Sequence, residues 1–93
     1  MFEAAGVKNI TTWDSSEYAI GQGIHEMGTA RMGRDPKTSV LNGWNQMHAC
    51  KNVFITDGSC MTSSACQNPS LTYMALTARA ASHAVEELKR GNI

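Results

Sequence analysis

The chain has 93 residues, enough for one small domain with little core to spare. Eight basic and eight acidic side chains cancel to a formal net charge of zero, and no basic run stands out, which argues against a nucleic-acid or polybasic membrane surface. No apolar run approaches the ~20 residues of a membrane span, and the opening MFEAAGVKNITTWDSSEYAI lacks the positive-then-apolar pattern of a signal peptide. A soluble protein is expected, with cytoplasm and periplasm both left open.

Residues 1–24 are polar and weakly patterned. Thr11-Thr12-Trp13 is a short strand candidate, and Asp14-Ser15-Ser16 reads as a turn or helix cap. Gly21 and Gly23 loosen the backbone just before His25. The run GQGIHEMG resembles a dinucleotide fingerprint but fails it, because Glu26 stands where the third glycine belongs and no good strand precedes it. This stretch therefore predicts no nucleotide-binding βαβ unit of its own.

Residues 25–38 read as loop, with Gly28, Gly33 and the Asp35-Pro36 turn signal. Ser39-Val40-Leu41 and Trp44–His48 flank Asn42-Gly43, a good hairpin dipeptide. Asn52-Val-Phe-Ile-Thr56 is the strongest strand signal. It is continuous and β-branched, which predicts burial on both faces as inside a parallel sheet. Asp57-Gly58 ends it, and the small, polar run Ser59–Gln67 leads into a helix.

That helix is predicted from Pro69 to Arg90, with Asn68 as N-cap and Pro69 at the first helical position. Gly91 should end it, and Lys89 and Arg90 suit the negative end of its dipole. Leu71, Met74, Ala75, Ala78, Ala81, Val85 and Leu88 recur at helical steps and predict one apolar face, rich in alanine, whose neighbour must approach closely.

Cys50, Cys60 and Cys66 are odd in number and show no CxxC spacing, so buried reduced thiols are expected rather than a disulfide framework. His48 and Cys50 could be combined with Cys60, Cys66 or His83 into a metal site, but the spacings match no zinc pattern. No metal ligand is assigned.

A strand, a loop and a capped helix make half of an α/β unit, and the strands that would complete it are not in view. The chain thus reads as the carboxy-terminal piece of a larger protein. Three separated segments sharpen this: His25-Glu-Met-Gly28-Thr-Ala-Arg-Met-Gly33, then Asn52-Val-Phe-Ile-Thr-Asp57-Gly58-Ser59, then Asn68-Pro69-Ser70-Leu-Thr72. In this order and spacing, over about residues 25–88, they resemble the carboxy-terminal region of the glucose–methanol–choline (GMC) FAD-dependent oxidoreductases. The wording is most similar to the gluconate and sugar dehydrogenase branch.

The resemblance implies an α+β fragment of an α/β, Rossmann-like FAD enzyme, with a few short strands and one long carboxy-terminal helix. Residues 1–24 would end the substrate lobe, and residues 25–93 would return to the FAD domain. His25 would be the base that takes the alcohol proton while hydride passes to flavin N5, and Asn68 would hold the substrate oxygen. Asp57 and Gly58 would meet the ribityl–phosphate part of FAD. Asn68, Pro69 and Ser70 would lie beneath the flavin pyrimidine ring, where a helix N-terminus stabilises negative charge. The implied reaction is oxidation of a CH–OH donor, a sugar, sugar acid or polyol. The implied partners are the rest of the flavoenzyme chain and that small-molecule substrate.

Rival readings rest on the residues alone. Asn68 as an N-cap needs no further role, and a side chain that caps the helix is less free to hold substrate. Asp57-Gly58 serves equally as a strand-ending turn. Arg31 and Arg34 suit either an anionic substrate or solvent. His48 and His83 carry no support for catalysis. In isolation the piece is expected to be inactive, to hold FAD weakly or not at all, and to self-associate through Val53, Phe54, Ile55, Leu71, Met74 and Val85. A non-catalytic interaction module and a small metal-binding domain are the alternatives.

Overall fold

The computed structural model describes residues 1–14, 16, 17 and 23–93. Ser15 of the predicted turn and Gly21 lie outside these residues. Among them the architecture is one long helix, α1 (Ser70–Arg90), lying against a body of turns and single-residue bridges. Two short 3-10 turns, Glu3–Ala5 and Gly58–Cys60, complete the regular structure. Among the described residues, no helix is long and apolar enough to cross a membrane.

The end of α1 follows the chemistry read from the sequence. Gly91 takes a left-handed conformation (φ 71°), and its N–H reaches back to the Glu87 and Leu88 carbonyls. The start differs. Pro69 stands outside the helix as its boundary residue, and no side chain caps the helix, so Asn68 is not the N-cap. The first helical hydrogen bond runs from the Tyr73 N–H to the Pro69 carbonyl, at 3.0 Å, and the residue whose carbonyl accepts that bond is the boundary of the helix.

The packed side of α1 is also not the predicted one. Tyr73, Leu76, Ala80, His83 and Ala84 turn toward the body. Leu71, Met74, Val85 and Leu88 are 79, 67, 50 and 64% exposed. Ala75, Ala78 and Ala81 share that open side. The helix is apolar on two sides, and the local body covers only one.

The strand predicted at 52–56 is absent. Phe54 forms a single antiparallel bridge to Gln46, Val53 is exposed, and Phe54, Ile55 and Thr56 are half-buried. A fully buried strand needs neighbours on both edges, and the described residues supply only the Gln46 side. The 39–48 hairpin survives in reduced form, as the Leu41–Met47 bridge and the Asn42 N–H to Gln46 carbonyl bond at 2.8 Å. Its left-handed residue is Asn45 (φ 62°), not Gly43. Thr11–Trp13 forms no strand, and residues 1–14 are all exposed, Trp13 to 83%. Asp14 accepts the Ser16 N–H at 2.9 Å, as a turn requires.

The core is small: Ala30, Leu41 and Cys60 are buried, with Met32, Met47, Ile55, Met61 and Leu76 packed around them. Cys60 alone of the thiols is buried; Cys50 and Cys66 are exposed, contrary to expectation, because they sit on loops outside this cluster. At its edge stands Asn45, fully buried and polar. Its Nδ2 donates to the Ile55 carbonyl at 3.0 Å, and its Oδ1 accepts from Arg79 Nη2 of α1 at 3.1 Å. Arg79 also lies 5.7 Å over the Trp44 ring. Trp44 stacks on His83 at 4.8 Å, and Phe54 meets His83 edge-on at 6.3 Å.

Asn45→Ala should destabilise the fold by roughly 2–4 kcal/mol, through two lost hydrogen bonds and a strained left-handed alanine. Asn45→Gly removes the same bonds but not the backbone freedom, and should cost about 1 kcal/mol less. Urea denaturation followed by circular dichroism compares the two, and equal losses would mean that the backbone conformation contributes nothing.

Candidate active site

The segments read as motifs from the sequence converge on one junction. After Gly28 the chain runs beside the Gly58–Cys60 turn: the Ala30 N–H donates to the Ser59 carbonyl at 3.1 Å, and the Met32 N–H donates to the Cys60 carbonyl at 2.9 Å. Gly28 makes the bend before this pairing, at φ 94°, where a side chain would be strained. Gly58 sits at the centre of the junction for a different reason. A Cβ there would lie 2.9 Å from Tyr73 Oη, 3.1 Å from the Glu26 carbonyl oxygen and 3.3 Å from Met27 Sδ. Only a residue without a side chain lets the 26–27 segment and α1 close over this turn.

Each residue singled out from the sequence has a definite place. His25 is half-buried, two residues before Met27. Asp57 is exposed and begins the 3-10 turn, its Oδ1 accepting both the Ser59 N–H (2.8 Å) and the Ser59 hydroxyl. Those two bonds, the hydroxyl first, hold its carboxyl below the ordinary 3.8. Pro69 is buried, while Asn68 and Ser70 are exposed beside it. Among the described residues, the Asn68 amide and the N–H groups of Ser70, Leu71 and Thr72 meet no intramolecular partner. The helix end thus gathers four sets of donors in the open, and the two roles weighed for Asn68 no longer compete.

The donor set fits an electron-rich edge and not a cation. Uncapped helix N–H groups carry the positive end of the dipole and bind oxygen or nitrogen lone pairs. The pyrimidine side of a flavin presents such an edge. Asp57 Oδ2, exposed and outside the Ser59 interaction, can accept from hydroxyl groups such as those of a ribityl chain.

The other candidates are structural. His48 Nε2 lies 3.2 Å from the Gly33 carbonyl and 3.1 Å from Ser39 Oγ. Ser39 Oγ already donates to the Asp35 carbonyl, so both contacts place the proton on Nε2. His83 is packed against both Trp44 and Phe54. Burial pushes the Cys60 thiol up, away from the reactive thiolate. Among the described residues, no three His, Cys, Asp or Glu side chains gather as metal ligands. Arg31 and Arg34 are exposed, and no ion pair to either occurs among the described residues. Sequence reasoning missed Tyr73, which closes the junction; its position opposite the apolar stripe on α1 is the signal that could have found it.

A family model described as GMC oxidoreductase matches residues 3–77, and the chain belongs to that family. The match begins well before the segment at 25–88 that carried the resemblance and ends within α1. The chain is 41% identical over 81 residues to 2-methyl-1,2-propanediol dehydrogenase of Mycolicibacterium austroafricanum, covering 86% of the chain and 15% of that protein. It is 41% identical over 68 residues to paromamine 6'-oxidase of Streptomyces fradiae, covering 73% of the chain and 12% of the relative. Fructose dehydrogenase large subunit of Gluconobacter japonicus is 39% identical over 67 residues, with 72 and 12% covered. The chain therefore spans about an eighth to a seventh of the length of these curated relatives. No solved structure matches it.

The Asp57 interaction has a pH signature. Its folded pKa lies below the unfolded value, so its stabilisation is present above the ordinary aspartate range and is lost as pH falls through the folded value. Carboxyl NMR titration should place the Asp57 midpoint below 3.8. Ser59→Ala should raise it, because the hydroxyl supplies the larger of the two effects; an unmoved midpoint would assign the shift elsewhere.

Proposed function

We propose that this chain is the part of an FAD-dependent GMC oxidoreductase that carries the substrate base and the helix end facing the flavin, in an enzyme oxidising a CH–OH group of a sugar, sugar acid or polyol. Residues 1–24 end the substrate lobe, and residues 25–93 complete a Rossmann-like FAD domain built mostly from chain outside this one. The names of the relatives, which include a propanediol dehydrogenase, a paromamine oxidase and a fructose dehydrogenase subunit, support an alcohol donor as the substrate class.

The observation that carries the reading is the uncapped start of α1, with the Asn68 amide unbonded beside it. Leaving helix donors and an adjacent amide unpaired makes sense where a ligand completes them. FAD, when bound, supplies the acceptor for the substrate's hydride. The N–H groups of Ser70, Leu71 and Thr72 would hold its electron-rich edge, and Asp57 and Gly58 its ribityl side. Asn68 orients the substrate hydroxyl by hydrogen bonding to its oxygen. His25 takes the proton from that hydroxyl as general base.

The open side of α1 supports the same picture from packing. Leu71, Met74, Val85 and Leu88, with the alanines between them, form an apolar surface suited to a closely packed neighbour, and in the whole enzyme that neighbour is the FAD domain. Separated from it, the chain is inactive and associates with copies of itself through this surface. The same exposure favours a second reading, a non-catalytic interaction module, which the first experiment below separates from the first reading.

In the full-length enzyme, His25→Ala should lower kcat by about a hundredfold or more while flavin content stays at the wild-type level. Unchanged alcohol oxidation would overturn the assignment of His25 as the base and favour the interaction-module reading. For the isolated chain, sedimentation should show association, and Leu71→Glu with Met74→Glu should return it to monomer; a wild-type monomer would remove the self-association.

A further inference from the structure

We propose that Tyr73 is a positioning residue for His25, its hydroxyl fixing the segment that carries His25 against Gly58 and the start of α1. The inference rests on the reading of His25 as the base. The segment around His25 is held very unevenly. Downstream of Gly28, backbone bonds from Ala30 and Met32 tie the chain to Ser59 and Cys60. Upstream, among the described residues, no backbone hydrogen bond reaches residues 23–27. What does reach them is Tyr73, whose Oη lies 3.8 Å from Met27 Sδ and donates to the sulfur.

The position of Tyr73 suits this role. It lies in the first turn of α1, where its own N–H bonds the Pro69 carbonyl, so the ring is tied to the helix end that bears Asn68. Its hydroxyl occupies the space over Gly58, beside the Glu26 carbonyl and Met27 Sδ. One residue therefore joins the three segments: its hydroxyl meets the His25 segment and the Asp57-Gly58 turn, and its backbone N–H bonds the helix start at Pro69. A thioether is soft and adaptable, and a single contact to it would orient the segment weakly in open solvent. Here the Gly58 surface closes the other side, so the segment has little freedom left except along the chain toward residue 23. His25 is two residues from that contact, and a displacement on the order of an ångström at a base can cost up to about a hundredfold in rate.

The test uses the full-length enzyme with Tyr73→Ala and Tyr73→Phe, and His25→Ala in parallel. Peptide-mapped oxidation of Met27 by dilute peroxide reads the contact without reference to turnover. Tyr73→Ala should speed sulfoxide formation at Met27 about threefold or more, since oxidation follows exposure. It should lower kcat by about tenfold with KM within about twofold, as expected for a misplaced base rather than lost substrate binding. Tyr73→Phe, which keeps the ring and loses the hydroxyl, should fall between. Wild-type Met27 oxidation and wild-type kcat in Tyr73→Ala would overturn the proposal, as would a change in KM alone. If Tyr73→Ala does not accumulate as folded enzyme, Tyr73→Phe decides, and wild-type values for it overturn the proposal equally. Full activity in His25→Ala would instead overturn the assignment of the base, and the Met27 readout would still report on the contact itself.

Discussion

The arrangement of the body depends on one buried polar contact, Asn45 to Arg79. With Leu41 and Cys60 among its few fully buried side chains, the chain has little apolar burial to hold α1 in place. A hydrogen bond to a charged group contributes roughly 1.5–3 kcal/mol, and a cation over an exposed aromatic ring about 0.5–1 kcal/mol. Arg79 makes both, to Asn45 Oδ1 and over Trp44, and adds a 3.6 Å contact to Met32 Sδ. The same Asn45 amide holds the Ile55 carbonyl, and the Ile55 N–H returns to the Asn45 carbonyl at 3.0 Å. One side chain thus fixes the 42–45 turn, the 53–55 segment and the middle of α1 together.

The helix shows why a small body can belong to a large enzyme. Its sequence carries two apolar sides, and each has helical spacing. Tyr73, Leu76, Ala80, His83 and Ala84 serve the local body, while Leu71, Met74, Val85 and Leu88 serve nothing within it. A helix apolar on both sides is a helix covered on both sides. The alanines at 75, 78 and 81 bring the backbone close to whatever lies over the open side, which favours a flat, continuous surface over scattered side chains. The chain's own core covers only one of the two sides.

This division explains which features were legible in the sequence. Local chemistry was: the Gly91 stop, the Asp14 and Asp57 turns, and the crossing at Asn42–Gln46 all rest on residues within a few positions of each other. The orientation of α1 was not, because the longer apolar stripe is the side that the local body leaves exposed. The 52–56 strand failed for the same reason, since Val53, Phe54 and Ile55 advertise burial that the described residues cannot provide. Asn45 was invisible because a left-handed Asn beside Asn42-Gly43 looks like ordinary turn chemistry, and its partner Arg79 lies 34 positions away. For the site, the motif residues were readable one by one. Their meeting point at Gly58 was not, because it depends on the ring of Tyr73, and an aromatic residue on a helix normally reads as core.

The start of α1 joins these points. A cap from Asn68 would have stabilised an isolated helix by about 1 kcal/mol. The chain forgoes it: Pro69 sets the boundary, and the amide stays outside. A sequence selected only for the stability of this body would place a serine or aspartate there with its oxygen turned inward. The observed arrangement keeps backbone donors, an amide and a nearby carboxylate turned to the outside, while Tyr73, one turn further in, locks the helix to the segment that bears His25. Rigidity is supplied on the packed side of the helix end and unsatisfied hydrogen-bonding capacity on its open side. That combination is what a site needs when the ligand is held elsewhere and this chain must meet it in a fixed orientation.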